Sequence, residues 1–374
     1  MAAVWLISPM NFWRRFDYKL GLKPPGHLIY CEDGLRRTIL VFTQMFLVLL
    51  TIPPANCAAA NIPAPSTHAV VERGLQFLQK EAYRWKETRK CAACHHAATM
   101  VWTFNEARAS GYSVDEKALK EITEWAFTDM KTNSLTEQEP PRDVINLGWV
   151  YVLLSVETAP ALGAPAGYEN DKLGDTNEDA LFSARRTLIR QIVNKQVSDG
   201  SWGHPLDERV PLGGPVEDIA ILSRLALLQS GDNSASVADS INKAANWLGA
   251  NHDKTSRQGR NLRLLMNLRE GKPAAELNSA IASIRVEQNA DGGWSQTPDM
   301  GSDAYATGQT LYALARAGVK RESPEMKRGV EFLERTQNEE GSWPMTSRVK
   351  AKDLSPITAA GAAWAVLGLL RASH

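Results

Sequence analysis

The sequence predicts an all-α protein of about six helix pairs that close into a ring of two concentric layers. Three observations carry this. A short pattern, Q-x-x-x-G-x-W, recurs as Gln196, Gly200 and Trp202, as Gln288, Gly292 and Trp294, and as Gln337, Gly341 and Trp343. Before each copy runs a segment with apolar residues on one helix face, and after each comes a turn and a second, apolar helix. The second helices are apolar or small nearly all round, which places them inside, whereas the first helices keep a polar face. Pairs repeating every ~40 to 60 residues bury their apolar faces on their neighbours.

In chain order, the outer helices are expected near residues 70–80, 116–130, 178–193, 237–248, 275–286 and 324–336. Their inner partners are expected in "AATMVWTFNEARASG", "DVINLGWVYVLLSVE", "VEDIAILSRLALLQSG", "RNLRLLMNLREG", "SDAYATGQTLYALARAG" and "SPITAAGAAWAVLGLLRA". Ahead of them, Arg36 and Arg37 precede an apolar run from Ile39 to Ile52 and then small residues. That is the order of a secretory signal, and the run is short of the ~20 residues a spanning helix needs. Residues 35–60 are therefore read as a signal peptide, with a retained anchor as the alternative. Residues 1–34 read as an over-extended start or a disordered stretch, and 61–374 as one ring domain. The expected location is periplasmic or secreted. Cys31 and Cys57 would leave with the precursor, keeping Cys91 and Cys94.

The fuller pattern R-G-x-x-F-L-x-x-x-Q-x-x-x-G-x-W, seen in "KRGVEFLERTQNEEGSWPM", resembles the QW repeat of squalene-hopene cyclases and related terpenoid cyclases. The resemblance implies an α/α toroid, the fold shared with protein prenyltransferase β subunits. It also implies that each Gln reaches the next helix terminus while each Trp packs beneath it. The repeat identifies architecture and leaves the chemistry open.

The family's chemistry is only partly present. Squalene cyclases protonate an alkene with an Asp of a D-x-D-D motif, and this chain has none. The nearest carboxylates at inner-helix starts are Asp218, beside Glu217, and Asp303, and these are the candidate acids; a lone Asp before a helix also serves as an N-cap. The prenyltransferase zinc set fails because no cysteine follows Cys94, and the G-C-x-E-Q thioester of complement-type toroids is absent. Trp102, Trp149, Tyr151, Tyr305, Tyr312 and Trp364 lie on inner helices, where they either steady a cation or fill the core.

One motif has no counterpart in the repeat. "KCAACHH" places Cys91, Cys94 and His95 as C-x-x-C-H where the other pairs have their turn. This resembles the attachment motif of c-type cytochromes, which implies haem c on the two thiols with His95 as axial ligand. Candidate sixth ligands from other turns are His204, His252, Met300 and Met345. A Cys91–Cys94 disulfide with no cofactor, or a metal on the thiols with His95 or His96, remain open.

Equal numbers of acidic and basic side chains, 42 of each, give no electrostatic footprint for nucleic acid. Three functions follow. One is an exported haem or redox protein meeting a redox partner. Another is a terpenoid cyclase-like enzyme acting on a polyprenyl lipid. The third is an interaction module presenting "TNSLTEQEPPRD" and "GAPAGYENDKLGDTNED".

Overall fold

The computed structural model describes residues 66–89, 94–133, 145–156, 177–203, 214–251, 256–348 and 353–373. The signal region, Cys31, Cys57, Cys91, His204, His252 and the greater part of both presented loops lie outside the described residues. Residues Pro63–His374 form one compact unit.

Among the described residues there are twelve α-helices in six pairs. The outer members are α1 (Thr67–Arg89), α3 (Glu116–Asn133), α5 (Asn177–Asn194), α7 (Ala235–Ala250), α9 (Ala274–Arg285) and α11 (Pro324–Thr336). The inner members are α2 (Thr99–Ala109), α4 (Leu147–Ser155), α6 (Val216–Ser230), α8 (Arg257–Arg269), α10 (Ala304–Arg316) and α12 (Ser355–Ala372). Each inner helix packs on the next, and α12 returns to α2, which makes the fold an α/α toroid. Helix α12 is long and apolar enough to cross a membrane, yet nearly all of its residues are buried inside the ring.

Two boundaries differ from expectation. Helix α1 runs on to Arg89 because its apolar face continues through the buried Ala82 and Trp85. Helix α4 begins only at Leu147, because the Asn146 side chain accepts the Gly148 N–H at 2.9 Å and so caps the helix there.

The three Q-x-x-x-G-x-W turns share one geometry. In each, the Gln amide donates twice: Gln196 to Gly200 and Ser240 carbonyls, both at 2.9 Å; Gln288 to Gly292 and Glu325, both at 2.8 Å; Gln337 to Gly341 at 3.2 Å and Val70 at 2.9 Å. The first bond of each pair closes its own turn and the second reaches the next outer helix. The Trp indole N–H donates back to a carbonyl of the preceding outer helix, Trp202 to Ile192, Trp294 to Ile284 and Trp343 to Leu333, at 2.7, 3.0 and 2.8 Å. All three indoles are buried.

The glycine between them has no substitute. Gly200, Gly292 and Gly341 stand at φ +97°, +91° and +94°, a region that favours glycine. A Cβ on Gly341 would lie 2.2 Å from the Arg73 carbonyl oxygen of α1. Because Val70 and Arg73 belong to the first helix, the last turn ties the end of the ring to its beginning. Arg73 strengthens the tie, donating from Nε and Nη2 to the Gln337 side-chain oxygen Oε1 at 3.1 and 2.7 Å.

Gly341→Ala is expected to lower unfolding stability by about 2 kcal/mol or more, through backbone strain and the clash with α1. Urea denaturation followed by tryptophan fluorescence reads this; a loss below about 0.5 kcal/mol, the range of ordinary surface substitutions, would contradict the closure described here.

Candidate functional site

The axis of the ring is filled rather than hollow. Trp102 of α2, Tyr305 and Tyr312 of α10 and Trp364 of α12 meet edge to face, with centroids between 5.3 and 6.2 Å apart. Tyr151 of α4 hydrogen-bonds Tyr305, and Trp149 is buried beside it in the chain. These aromatics therefore serve as core. Helices α10 and α12 come into backbone contact beside them: a Cβ on Gly308 would fall 2.2 Å from the Trp364 carbonyl oxygen.

The two rims of the ring differ chemically. Where the inner helices end, Glu106 is fully buried and accepts a 2.8 Å hydrogen bond from the Tyr312 hydroxyl. It pairs with Arg371 and lies 3.9 Å from Arg316. Two guanidiniums thus offset a charge that would be untenable alone at that depth. Burial, then the neighbouring Glu106, pushes the Tyr312 hydroxyl above its ordinary range.

Where the inner helices begin, both predicted acids are found, in different settings. Asp303 caps α10, its Oδ1 accepting the Ala306 N–H at 2.8 Å and its Oδ2 the Gln296 amide at 2.7 Å. Burial raises its pKa against the pull of those bonds. Asp218 is no cap. It sits in the first turn of α6, buried, with the Ser256 hydroxyl 3.0 and 2.8 Å from its two oxygens. Desolvation pushes its pKa up to about 7, opposed by the Ser256 bond and by the Arg348 and Arg263 charges and reinforced by Glu217. Glu217 itself pairs with Arg263. Tyr305, whose hydroxyl burial raises above its usual range, lies in the field of both Asp218 and Arg348. Arg348 acts on Asp218, Asp303 and Tyr305 alike, so these four groups form one electrostatic cluster.

A narrow pocket with about 10 Å³ of water-accessible space, room for about one water molecule, lies between the first turns of α8 and α10 and beside this cluster. Its walls are Arg257, Gln258 and Asn261 from α8, Tyr305 and Gln309 from α10, and Arg348. Gln296 lines the pocket as well, so Asp303 stands one hydrogen bond behind the wall, whereas Asp218 is bonded to Ser256, the chain neighbour of the wall residue Arg257. Arg348 and the carboxamides are the residues that sequence reasoning missed; Gln258 and Gln309 are polar positions on buried helices, whereas Gln296 and Arg348 lie in the connections between helices.

The C-x-x-C-H motif is described from Cys94 onward. Cys94 and His95 open a π-helical turn, Cys94–Ala98, that leads into α2 at this same rim. His96 points into the core, stacked on Trp85 at a centroid separation of 4.1 Å, with Nε2 4.0 Å from Glu81. Met345 is half-buried and packs near Gly361 of α12, whose helix borders the π-helical turn. Met300 is half-buried in the turn before α10, across α12 from that motif. Among the described residues, no three His, Cys, Asp or Glu side chains come together as a metal requires.

Residues 232–374 match the Squalene-hopene cyclase C-terminal domain family. The squalene–hopene cyclase of Bradyrhizobium diazoefficiens is 30% identical over 108 residues, 28% of this chain and 16% of that protein. A protein named probable squalene–hopene cyclase from Sinorhizobium fredii is 33% identical over 99 residues, 25% of this chain and 15% of its own length. The matches thus span less than a fifth of the curated relatives. In fold, the chain resembles a solved Salmonella enterica serovar Paratyphi A structure titled a possible member of GH105 family, with TM-score 0.52 and 14% identity over 86% of this chain and 96% of that one. The squalene-cyclase-like sequence match contains Asp303 and Arg348, whereas Asp218 precedes it.

In this squalene-cyclase-like toroid the Asp218 carboxyl has a testable signature. Its folded pKa near 7 exceeds the ordinary value of 3.8, so the folded state holds a proton that the unfolded chain releases. Stability is then fullest at low pH and falls as pH rises from about 4 to about 7, by up to ~1 kcal/mol per unit. Asp218→Asn is expected to flatten that slope and to leave the variant the more stable protein at pH 8, read by urea titrations across the range. An unchanged slope would place the titration elsewhere.

Proposed function

We propose that this protein is an enzyme that moves a proton at the rim where its inner helices begin, with Asp218 as the acid and Asp303 as its electrostatic partner. The observation that carries the reading is the burial of two carboxyls at the starts of α6 and α10, both in the field of Arg348, which itself lines the pocket. An acid whose pKa lies near the working pH transfers protons most effectively, and burial supplies that shift here. Ser256, hydrogen-bonded to both Asp218 oxygens, is the group through which the proton would reach the pocket wall. The squalene-cyclase likeness of residues 232–374 is in keeping with an acid-initiated reaction. The D-x-D-D signature of alkene protonation is absent, so the substrate is not inherited from the family.

The test is a turnover screen covering isoprenoid alkenes and glycosides. Asp218→Asn should lower any activity found by about a hundredfold, the scale of one lost general acid, with its helical circular dichroism unchanged. Asp303→Asn should do less. Activity indifferent to both substitutions would defeat the assignment.

A second reading rests on the π-helical turn at Cys94–Ala98, since π segments inside helices gather at functional sites. Here Cys91 and Cys94 would hold haem c and His95 would ligate its iron, after export through residues 35–60. Bound there, the group would supply one-electron chemistry. His96 and all of Ala97–Ala107 are buried, so the group would have to sit on the outer side of the rim. His96, engaged with Trp85, is not free to serve as the second ligand. Expression with cytochrome c maturation factors should yield an intact mass exceeding the polypeptide by one haem, and Cys94→Ala should remove the excess. A bare polypeptide mass would end this reading.

A further inference from the structure

Ser256 joins two helix starts. It is the N-cap of α8, where its Oγ accepts the Gly259 N–H at 2.8 Å. A hydroxyl has one proton to donate, and here that proton goes to Asp218 of α6, whose Oδ1 and Oδ2 lie 3.0 and 2.8 Å away. Backbone also closes on the carboxyl: a Cβ on Gly214 would fall 2.5 Å from Oδ2 and 3.1 Å from the Asp218 Cβ. The acid is buried, so solvent does not replace the serine as its donor.

The bond treats the two states of the acid unequally. A donor held on a carboxyl favours the carboxylate over the neutral acid. The remaining groups that act on Asp218 do so through charge: Glu217 of its own helix, Arg263 of α8 and Arg348 of the last connection. Tyr305 of α10 lies in the Asp218 field, and Tyr151 of α4 is bonded to that tyrosine. Ser256 is the one member of this set described as hydrogen-bonded to the acid. Glu217 and Arg263 form a second tie between α6 and α8, which keeps the two helices joined when the hydroxyl is removed.

We infer that Ser256 is the positioning residue of the acid: its hydroxyl, fixed by the start of α8, orients the Asp218 carboxyl and steadies the charge left there when the proton departs. The inference rests on the proton-transfer reading for its part in turnover, but not for its hold on Asp218.

Urea titrations of the full chain across about pH 4 to 9 test it. In the parent protein stability falls as the pH rises to about 7, where the folded Asp218 ionises. Removing a donor that favours the carboxylate moves this ionisation upward. In Ser256→Gly the fall should therefore run about one to two pH units further, the scale of one hydrogen bond to a charged group. Glycine is tolerated at a helix N-cap, so α8 keeps its start. Ser256→Thr, which retains the hydroxyl, should restore the parent profile. Ser256→Ala should show the same shift on top of a loss equal at every pH. In an Asp218→Asn background, Ser256→Gly should leave the shape of the profile unchanged. A serine that only caps its helix would lower stability evenly across the range; that result, or the same shift in the Asp218→Asn background, overturns the inference.

Turnover separates the two proposals. For an activity found in the substrate screen, Ser256→Gly should lower kcat by about tenfold or more with KM little changed, and should move the alkaline limb of the pH–rate profile upward. A shifted stability profile beside turnover indifferent to Asp218→Asn defeats only the proton-transfer reading. Turnover lost in Asp218→Asn beside an unmoved profile in Ser256→Gly defeats only this one.

Discussion

A single glutamine amide that donates to two carbonyls sets the architecture. One bond closes the turn between the two helices of a pair, and the other fixes the following outer helix at a set distance. Because one planar group makes both bonds, turn shape and repeat spacing cannot vary independently. The tryptophan beneath anchors the turn to the helix it came from, and the left-handed glycine lets the next backbone approach to contact distance. Spacing repeated in this way curves a row of helix pairs, and the third copy meets the first helix.

Closure dictates where chemistry can be placed. All inner helices run the same way, so one rim collects their N-terminal ends and the other their C-terminal ends. The partial charges of those ends are opposite, and the side chains answer them differently. At the C-terminal rim, two arginines converge on the buried Glu106. At the N-terminal rim, carboxyls sit in the first turns, several polar groups remain incompletely bonded, and the wall opens to solvent. Between them lies the edge-to-face cluster of Trp102, Tyr312 and Trp364.

Much of this was legible in the chain. The Q-x-x-x-G-x-W spacing specified its own hydrogen bonds, because Gln, Gly and Trp are each needed for a different reason. Uniformly apolar segments identified the inner layer, and α12 is the clearest case. The resemblance carried by the QW pattern implied the roles of the Gln and the Trp. The two acids were found as carboxylates at inner-helix starts, but only the fold separates Asp303, a helix cap, from Asp218, which caps nothing. The pocket itself was not legible. Gln258, Gln309 and Arg348 are far apart in sequence and follow no spacing rule, and only curvature of the ring brings them to one wall. The stacking of His96 on Trp85 was not legible either, since it follows from the extension of α1 beyond residue 80.

The tie between Gln337 and α1 has a topological outcome. An open array of repeats has two ends that fray and can be shortened one unit at a time. Here neither the first nor the last pair is an end, since each is flanked on both sides. Loss of any one pair would break two interfaces and leave an arc whose curvature no longer matches its length. Such a chain should melt as a whole, and its covalent termini are an accident of where the circle was cut.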